Sequence, residues 1–298
     1  MRKSRFGALA IVGVAALALT ACNSGTPTAA PSEGEGTDEG TAWFEVADDV
    51  SLEGSPTFDR ISSDGKVVVG VKEDQPGLGY LDVVTSERTG FDIDIARWIA
   101  ASLGVDEDNI EFIRVDSSAR EQAIVNGDVD YYVGTYSITD KRKELIDFAG
   151  PYFVTGQGLL VAADSDIASV EDLSADTTVC SATGSTPIQN IRTNYPEVPT
   201  REFNSYSECV EALLSGVVDV VTTDEAILIG YAAQDPENLK VVGEPFSEER
   251  YGVGLTKGDT ALQEHINTLF TDGGEIWQAI FDKNLGSSGI EVEQPTVD

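Results

Sequence analysis

Two runs of this sequence end in the same way. Ala123-Ile-Val-Asn-Gly-Asp-Val-Asp130 leads into Tyr-Tyr-Val-Gly-Thr135, and Ala212-Leu-Leu-Ser-Gly-Val-Val-Asp219 leads into Val-Val-Thr-Thr-Asp224, at an offset of 89 residues. Each reads as helix, glycine turn and strand, then a polar residue at the strand's carboxyl end. Ligands of open α/β sheets gather outside those ends, so Thr135 and Asp224 are candidates to face one cleft from opposite sides. The competing explanation is a chance likeness of two amphipathic units, with Asp224 a plain helix N-cap. Thr183-Gly-Ser-Thr186, just before Pro187, sets hydroxyls and free N–H groups at a helix start. That is the chemistry of an anion cradle, and equally that of a capping turn. Arg142 follows Thr139, which has the type and position of an N-cap. A guanidinium offers a carboxylate two parallel, charge-assisted bonds. On residue type alone, however, the Lys-Arg-Lys run at 141–143 reads better as a solvated helix face.

These residues need strands and helices in alternation to hold them. The pattern predicts strands over Val67 to Val71, Glu111 to Val115 and Asp130 to Gly134, with helices over Phe91 to Leu103 and Ala119 to Asn126. After Pro151 it restarts. Strands are expected over Gly158 to Val161, Thr178 to Ser181, Arg201 to Phe203, Asp219 to Val221 and Lys240 to Val242. Helices are expected over Pro187 to Asn194, Tyr206 to Leu214, Glu225 to Ala233 and Ala261 to Phe270. Such alternation predicts an α/β fold with largely parallel sheets. Trp98, Ile99 and Leu103 have core-helix spacing, and Trp277 and Phe281 are placed to dock a C-terminal helix. His265 reads as a packing residue.

Composition narrows the function. The 298 residues allow one large domain or two of ordinary size, and a hydrophobic fraction of 41% suffices for a core. A net charge of -33 repels nucleic acid and anionic lipid, which excludes both as partners of the folded body. No nucleophile motif, phosphate loop or metal constellation is present, so neither a metal nor a cofactor is expected.

The N-terminus reads as an address. Arg2, Lys3 and Arg5 precede sixteen uncharged residues, too few for a spanning helix of about 20, and the run closes on Leu19-Thr20-Ala21-Cys22. This resembles the lipobox of bacterial lipoproteins. It implies cleavage after residue 21 and diacylglycerol on Cys22, with each buried lipid methylene contributing about 0.8 kcal/mol to an anchor in the cell membrane. A flexible acidic tether and N-terminal extension then span 22–55. With Cys22 lipidated, Cys180 and Cys209 remain, and a disulfide is the simplest state for such a pair in an exported protein. Two buried thiols are the alternative.

Thr135-Tyr-Ser-Ile-Thr-Asp-Lys-Arg142 followed by Ile146-Asp-Phe-Ala-Gly-Pro-Tyr152 resembles the solute-binding proteins of polar amino-acid ABC importers. Lys72-Glu-Asp-Gln-Pro-Gly77 with Gly90-Phe-Asp-Ile-Asp-Ile-Ala96, Thr183-Gly-Ser-Thr186 and Thr222-Thr-Asp-Glu-Ala226 agree, and the likeness runs from about Pro56 to Gly286. It is nearest to the glutamate/aspartate-binding branch. The resemblance implies a two-lobe, periplasmic-binding-protein-like type II fold with the ligand cleft between the lobes. Lobe one would take 56–153 and 247–298, and lobe two 154–246, joined by crossing segments near Tyr152 to Gln157 and Gly243 to Glu248. It also implies a site. Arg142 and Ser137 would bind the ligand's α-carboxylate, the Thr135 carbonyl and Asp224 its ammonium, and Thr183, Gly184, Ser185 and Thr186 would form the second anion loop. Arg120 and Lys72 would meet a side-chain carboxylate, with Gln75 adding a polar contact. The function implied is capture of L-glutamate, aspartate or glutamine by a monomeric, extracytoplasmic, non-enzymatic lipoprotein that delivers it to an ABC permease. A cyclohexadienyl dehydratase on the same scaffold and a ligand-presenting sensor are the competing readings.

Overall fold

The computed structural model describes residues 44–298. The signal segment, Cys22 and most of the tether lie outside the described residues. Residues 44–55 lie against the body, where Phe44, Val50 and Leu52 pack on its core and Ala47 N–H bonds to the Ala101 carbonyl.

Lobe one opens with α1 (Pro56–Asp64), started by the Ser55 cap and Pro56 in the first turn. Next come β1 (Val67–Val71), β2 (Asp74–Gln75), β3 (Gly79–Leu81), β4 (Arg88–Thr89), α2 (Phe91–Ser102) and β5 (Ile110–Arg114). Then follow α3 (Arg120–Asn126), β6 (Tyr131–Tyr132), α4 (Asp140–Lys143) and β7 (Asp147–Thr155). The chain crosses at Gly156 into β8 (Gln157–Ala162), β9 (Val179–Ala182), α5 (Thr186–Asn194), β10 (Thr200–Phe203) and α6 (Tyr206–Leu214). It continues through β11 (Val220–Asp224), α7 (Glu225–Gln234) and β12 (Leu239–Val242). It then returns to lobe one as β13 (Glu249–Leu255), α8 (Thr260–Asp272) and α9 (Gly274–Asn284).

Each lobe holds one five-stranded sheet, in the orders β5-β1-β6-β13-β7 and β10-β9-β11-β8-β12. In both, the first three strands are parallel and the remaining pairings antiparallel. The expectation of largely parallel sheets is therefore corrected, since half the pairings in each five-stranded sheet run the other way, as do both pairings of the small β2-β3-β4 sheet of lobe one. A buried apolar run shows that a strand is covered on both faces but does not give its direction. The 89-residue echo has a structural counterpart, because α3–β6 and α6–β11 hold equivalent places in the two sheets. Both strands run toward the interlobe cleft, which delivers Thr135 and Asp224 to its two sides.

The lobe-one core gathers Phe91, Trp98, Tyr152, Phe153, Phe270, Trp277 and Phe281. Trp277 donates its indole N–H to the Tyr152 carbonyl at 2.7 Å, tying α9 to the crossing strand β7. Cys180 on β9 and Cys209 on α6 are joined, with Cα atoms 5.6 Å apart. The crossing segments touch at Gly156, where a Cβ would lie 2.5 Å from the Ser247 carbonyl and 2.6 Å from Pro245. Only glycine lets these two crossing segments pass so closely.

Candidate functional site

Lobe one brings three buried cations to the cleft. Lys72 follows β1 and is 4% exposed; its ammonium donates to Ser117 Oγ at 2.8 Å. Burial, reinforced by the Arg120 charge, lowers the lysine's pKa to about 7. Arg120 opens α3 and is 3% exposed; its Nε donates to the Ser117 carbonyl at 3.0 Å. Arg142 lies in α4, a single turn started by Thr139, whose hydroxyl accepts the Arg142 backbone N–H at 3.3 Å. Its side chain donates to the Ser137 carbonyl at 2.6 Å and to Glu121 Oε1 at 3.2 Å. The guanidinium carbons of Arg120 and Arg142 stand 4.2 and 4.9 Å from the centre of one ring, that of Tyr136. Burial, then the Arg120 charge, holds Arg142 below its ordinary value.

Thr135 has a φ of 46°, a backbone conformation that a β-branched residue adopts only when its neighbours enforce it. Asp92, from the first turn of α2, supplies that constraint: Oδ2 accepts the Thr135 N–H at 2.9 Å and Oδ1 accepts the Tyr152 hydroxyl at 2.8 Å. Burial raises the Asp92 pKa to about 6. The Thr135 hydroxyl donates to Gln75 Oε1 at 3.1 Å. Gln75 is fully buried, and its amide nitrogen has no partner among the described residues.

Lobe two answers with Asp224, 3% exposed, at the end of β11. Its Oδ2 accepts the Tyr251 hydroxyl at 2.7 Å, whereas Oδ1 is buried with no partner among the described residues. Burial and the Glu249 charge raise its pKa well above the carboxylate range. The same burial, with Asp224 close by, raises the Tyr206 phenol to about 12. The segment 183–186 divides its roles. The Gly184 carbonyl accepts from Arg142 Nη2 at 3.2 Å and from Arg120 Nη2 at 3.4 Å, and Thr186 Oγ1 accepts from Arg142 Nη1 at 3.3 Å. Thr183 instead bonds the Phe203 carbonyl through its hydroxyl at 3.1 Å, and Ser185 caps α5 through the Ile188 N–H at 3.3 Å.

Lys72, Gln75, Arg120, Thr135, Ser137, Arg142, Gly184, Thr186 and Asp224 thus converge on one interlobe region, and the Thr183 and Ser185 hydroxyls are engaged within lobe two. Sequence reasoning passed over Ser117, which joins Lys72 to Arg120, and Tyr136, on which both arginines stack. The signal for Ser117 was present in the Asp-Ser-Ser-Ala turn before α3. Tyr136 carried none, because it sits within a motif whose flanking hydroxyls drew the attention.

The arrangement can bind a small zwitterion with a second anionic group. Cations and hydroxyls suit two carboxylates, and an unpartnered buried carboxylate oxygen suits one ammonium. Known proteins similar to this chain are amino-acid-binding proteins. The family model for bacterial extracellular solute-binding proteins, family 3, matches residues 67–286. The glutamate-binding protein GluB of Corynebacterium efficiens is 42% identical over 246 residues, covering 78% of this chain and 83% of that protein. The ABC transporter glutamine-binding protein GlnH of Bacillus subtilis is 43% identical over 211 residues, covering 71% and 77% respectively. Among solved structures, an ancestral arginine-binding protein bound to glutamine superposes with a TM-score of 0.68 at 34% identity, covering 75% of this chain and all but 1% of that one.

Proposed function

Because the chain belongs to family 3 of the bacterial extracellular solute-binding proteins, we propose that it captures L-glutamate between its lobes and hands it to an ABC permease. One observation carries this reading: Lys72, Arg120 and Arg142 stand together in the cleft wall, opposite the unpartnered Oδ1 of Asp224. Arg142 and Ser137, with Gly184 and Thr186 from lobe two, receive the α-carboxylate. Asp224 and the Thr135 carbonyl receive the ammonium. Lys72, Ser117 and Arg120 hold the side-chain carboxylate, and Gln75 adds its free N–H donors. Lysine and arginine only donate, so a glutamate carboxylate uses this wall more fully than a glutamine amide, whose NH₂ needs an acceptor. Each charged hydrogen bond contributes roughly 1.5–3 kcal/mol, enough to separate ligands ten- to a hundredfold.

In this reading the protein is a monomeric lipoprotein outside the cytoplasm, held to the membrane by lipid on Cys22, with the Cys180–Cys209 bond stabilising lobe two. Its role is capture, with no turnover. A thermal-shift screen of the twenty amino acids against the full chain, followed by calorimetry, tests it. L-Glutamate is expected to give the largest shift and a single site of micromolar or tighter affinity. Glutamine binding more tightly than glutamate, or no amino acid binding at all, overturns the assignment.

A further inference from the structure

Asp74 stands on β2 one residue before Gln75. Alternation along the strand sends Gln75 toward Thr135 and Asp74 across to the opposite lobe. There its Oδ2 accepts the backbone N–H groups of Tyr206 at 2.9 Å and Ser207 at 3.2 Å, the first two residues of α6. The Tyr231 phenol on α7 donates to the Asp74 carbonyl oxygen and lies 3.4 Å from Oδ2. Two residues further on, the Pro76 carbonyl approaches Gly230 of α7 so closely that a Cβ there would overlap it. Asp74 to Pro76 therefore forms a continuous seam against the starts and faces of two lobe-two helices.

Helix α6 does not require this partner for its own cap. Ser205 and Glu208 form a complete capping box within lobe two. The two amides given to Asp74 are further first-turn donors, which water satisfies when the lobes stand apart. Their positive end of the helix attracts a carboxylate more than a neutral group. The seam also reaches the cleft. Tyr206, whose N–H is held, is buried beside Asp224, and Cys209 ties α6 to β9, which leads directly into Gly184 and Thr186. Securing α6 to lobe one therefore secures the side of the cleft that meets Arg142.

We infer that Asp74 is a positioning residue for capture: it latches α6 onto lobe one as the lobes close, and so sets the affinity for every ligand of the cleft while contacting none. This rests on the reading of the cleft as an amino-acid site that closes around its ligand. A cleft residue such as Arg120 discriminates among ligands; a latch shifts them all by the same factor, because it acts on the closing equilibrium that they share.

The test titrates the full chain and its D74N, Y231F and doubly substituted variants with L-glutamate and L-glutamine by calorimetry at pH 6, where Lys72 is largely charged and loss of the Asp74 charge beside it does not by itself separate the two ligands. Stopped-flow release and small-angle scattering with and without glutamate accompany the titrations. D74N should weaken both ligands by the same factor, roughly tenfold, through faster release. Y231F removes a single hydroxyl and should weaken both by a smaller common factor, and the double variant should lose less than the two singles combined, since they share one seam. The melting temperature without ligand should stay that of the parent. Unchanged affinity in both single variants overturns the latch. So does a change of more than threefold in the glutamate-to-glutamine ratio, which would make Asp74 a ligand contact. If the parent protein binds no amino acid, the amino-acid reading falls by itself. The latch is then judged by ligand-free scattering, where D74N must lose whatever closed fraction the parent shows, and a parent no more compact than D74N overturns the latch.

Discussion

The pH dependence of glutamate affinity follows from one buried lysine. Lys72 titrates at about 7 because burial and Arg120 disfavour its charge, with Asp74 and Asp116 acting weakly the other way and Arg114 adding to Arg120. Asp92 is the other charged group whose titration it influences. A ligand carboxylate beside the ammonium favours the charged form, so the bound complex keeps its proton to a higher pH than the free site does. The sign is therefore fixed. Glutamate affinity is full below pH 7 and falls as pH rises through the free-site value, by about tenfold per unit until the bound complex titrates as well. Between pH 6 and pH 8 the protonated fraction of the free site drops from about ten in eleven to about one in eleven, so the dissociation constant should rise about tenfold. Calorimetry at pH 6, 7 and 8 in buffers of differing ionisation enthalpy reads both consequences. Affinity should fall, and at pH 8 each glutamate should draw about 0.9 proton more from the buffer than each glutamine does. Glutamine serves as the control, because it shares any effect of Asp92 and Asp224 but places no anion at Lys72. Glutamate affinity that follows the glutamine profile from pH 6 to pH 8, with no proton uptake beyond that of glutamine, refutes the placement of the side-chain carboxylate at Lys72.

Two further outcomes are expected. Arg142→Ala should weaken every amino acid by a hundredfold or more, roughly the worth of two charge-assisted bonds, whereas Arg120→Ala should cost glutamate ten- to a hundredfold and leave neutral ligands nearly unchanged. Parallel titrations of both variants check this, and equal losses in the two would show that the cations do not divide the ligand's carboxylates between them. Gly230→Ala places a methyl against the Pro76 carbonyl at the lobe seam. It should weaken all ligands together while the circular dichroism and ligand-free melting temperature hold, and wild-type affinity would place the seam outside the closing motion.

What was legible in the sequence was what is local. β1 and α6 lie over the ranges expected from the residues, because a charge-bounded apolar run sets the first, and Ser205, Glu208 and a glycine turn bracket the second. α1 was passed over although Ser55-Pro56 announces it, since its polar composition hid the apolar stripe of Phe58 and Ile61. β2, β3 and β4 have two or three residues each, too short to show any period. β7 and β13 are long, but their pairing joins segments about a hundred residues apart, and no local pattern records that partnership. The same divide holds at the site. The Thr-Gly-Ser-Thr run marks a helix start, but which hydroxyl caps the helix and which reaches the cleft depends on the loop's path past Phe203. Asp74 lies in the Lys72-to-Gly77 run that carries the resemblance, but nothing local announces its contacts, because its partners are backbone amides 132 and 133 residues away.

The cleft's charges explain why an acidic protein would close on an acid. Lys72 and Arg142 are pushed toward neutrality, and Asp92 and Asp224 toward protonation, so every one of these groups is held against its ordinary charge. Two guanidiniums share one tyrosine ring beside a lysine, an assembly that repels itself when water is excluded. A ligand with two carboxylates and one ammonium reverses all of these penalties together: the carboxylates separate the cations, and the ammonium meets Asp224. A neutral amino acid relieves only the α-carboxylate side and leaves Lys72 facing Arg120. A basic amino acid would add a further positive charge to that pair, so under the proposed assignment the wall disfavours arginine, although the fold is similar to that of an ancestral arginine-binding protein. Selectivity and closure thus draw on the same electrostatic strain. A ligand at a hundred times its dissociation constant would stabilise the folded protein by about 2.7 kcal/mol by mass action, whatever supplies its affinity, so the strain shows in which ligand reaches that ratio at the lowest concentration.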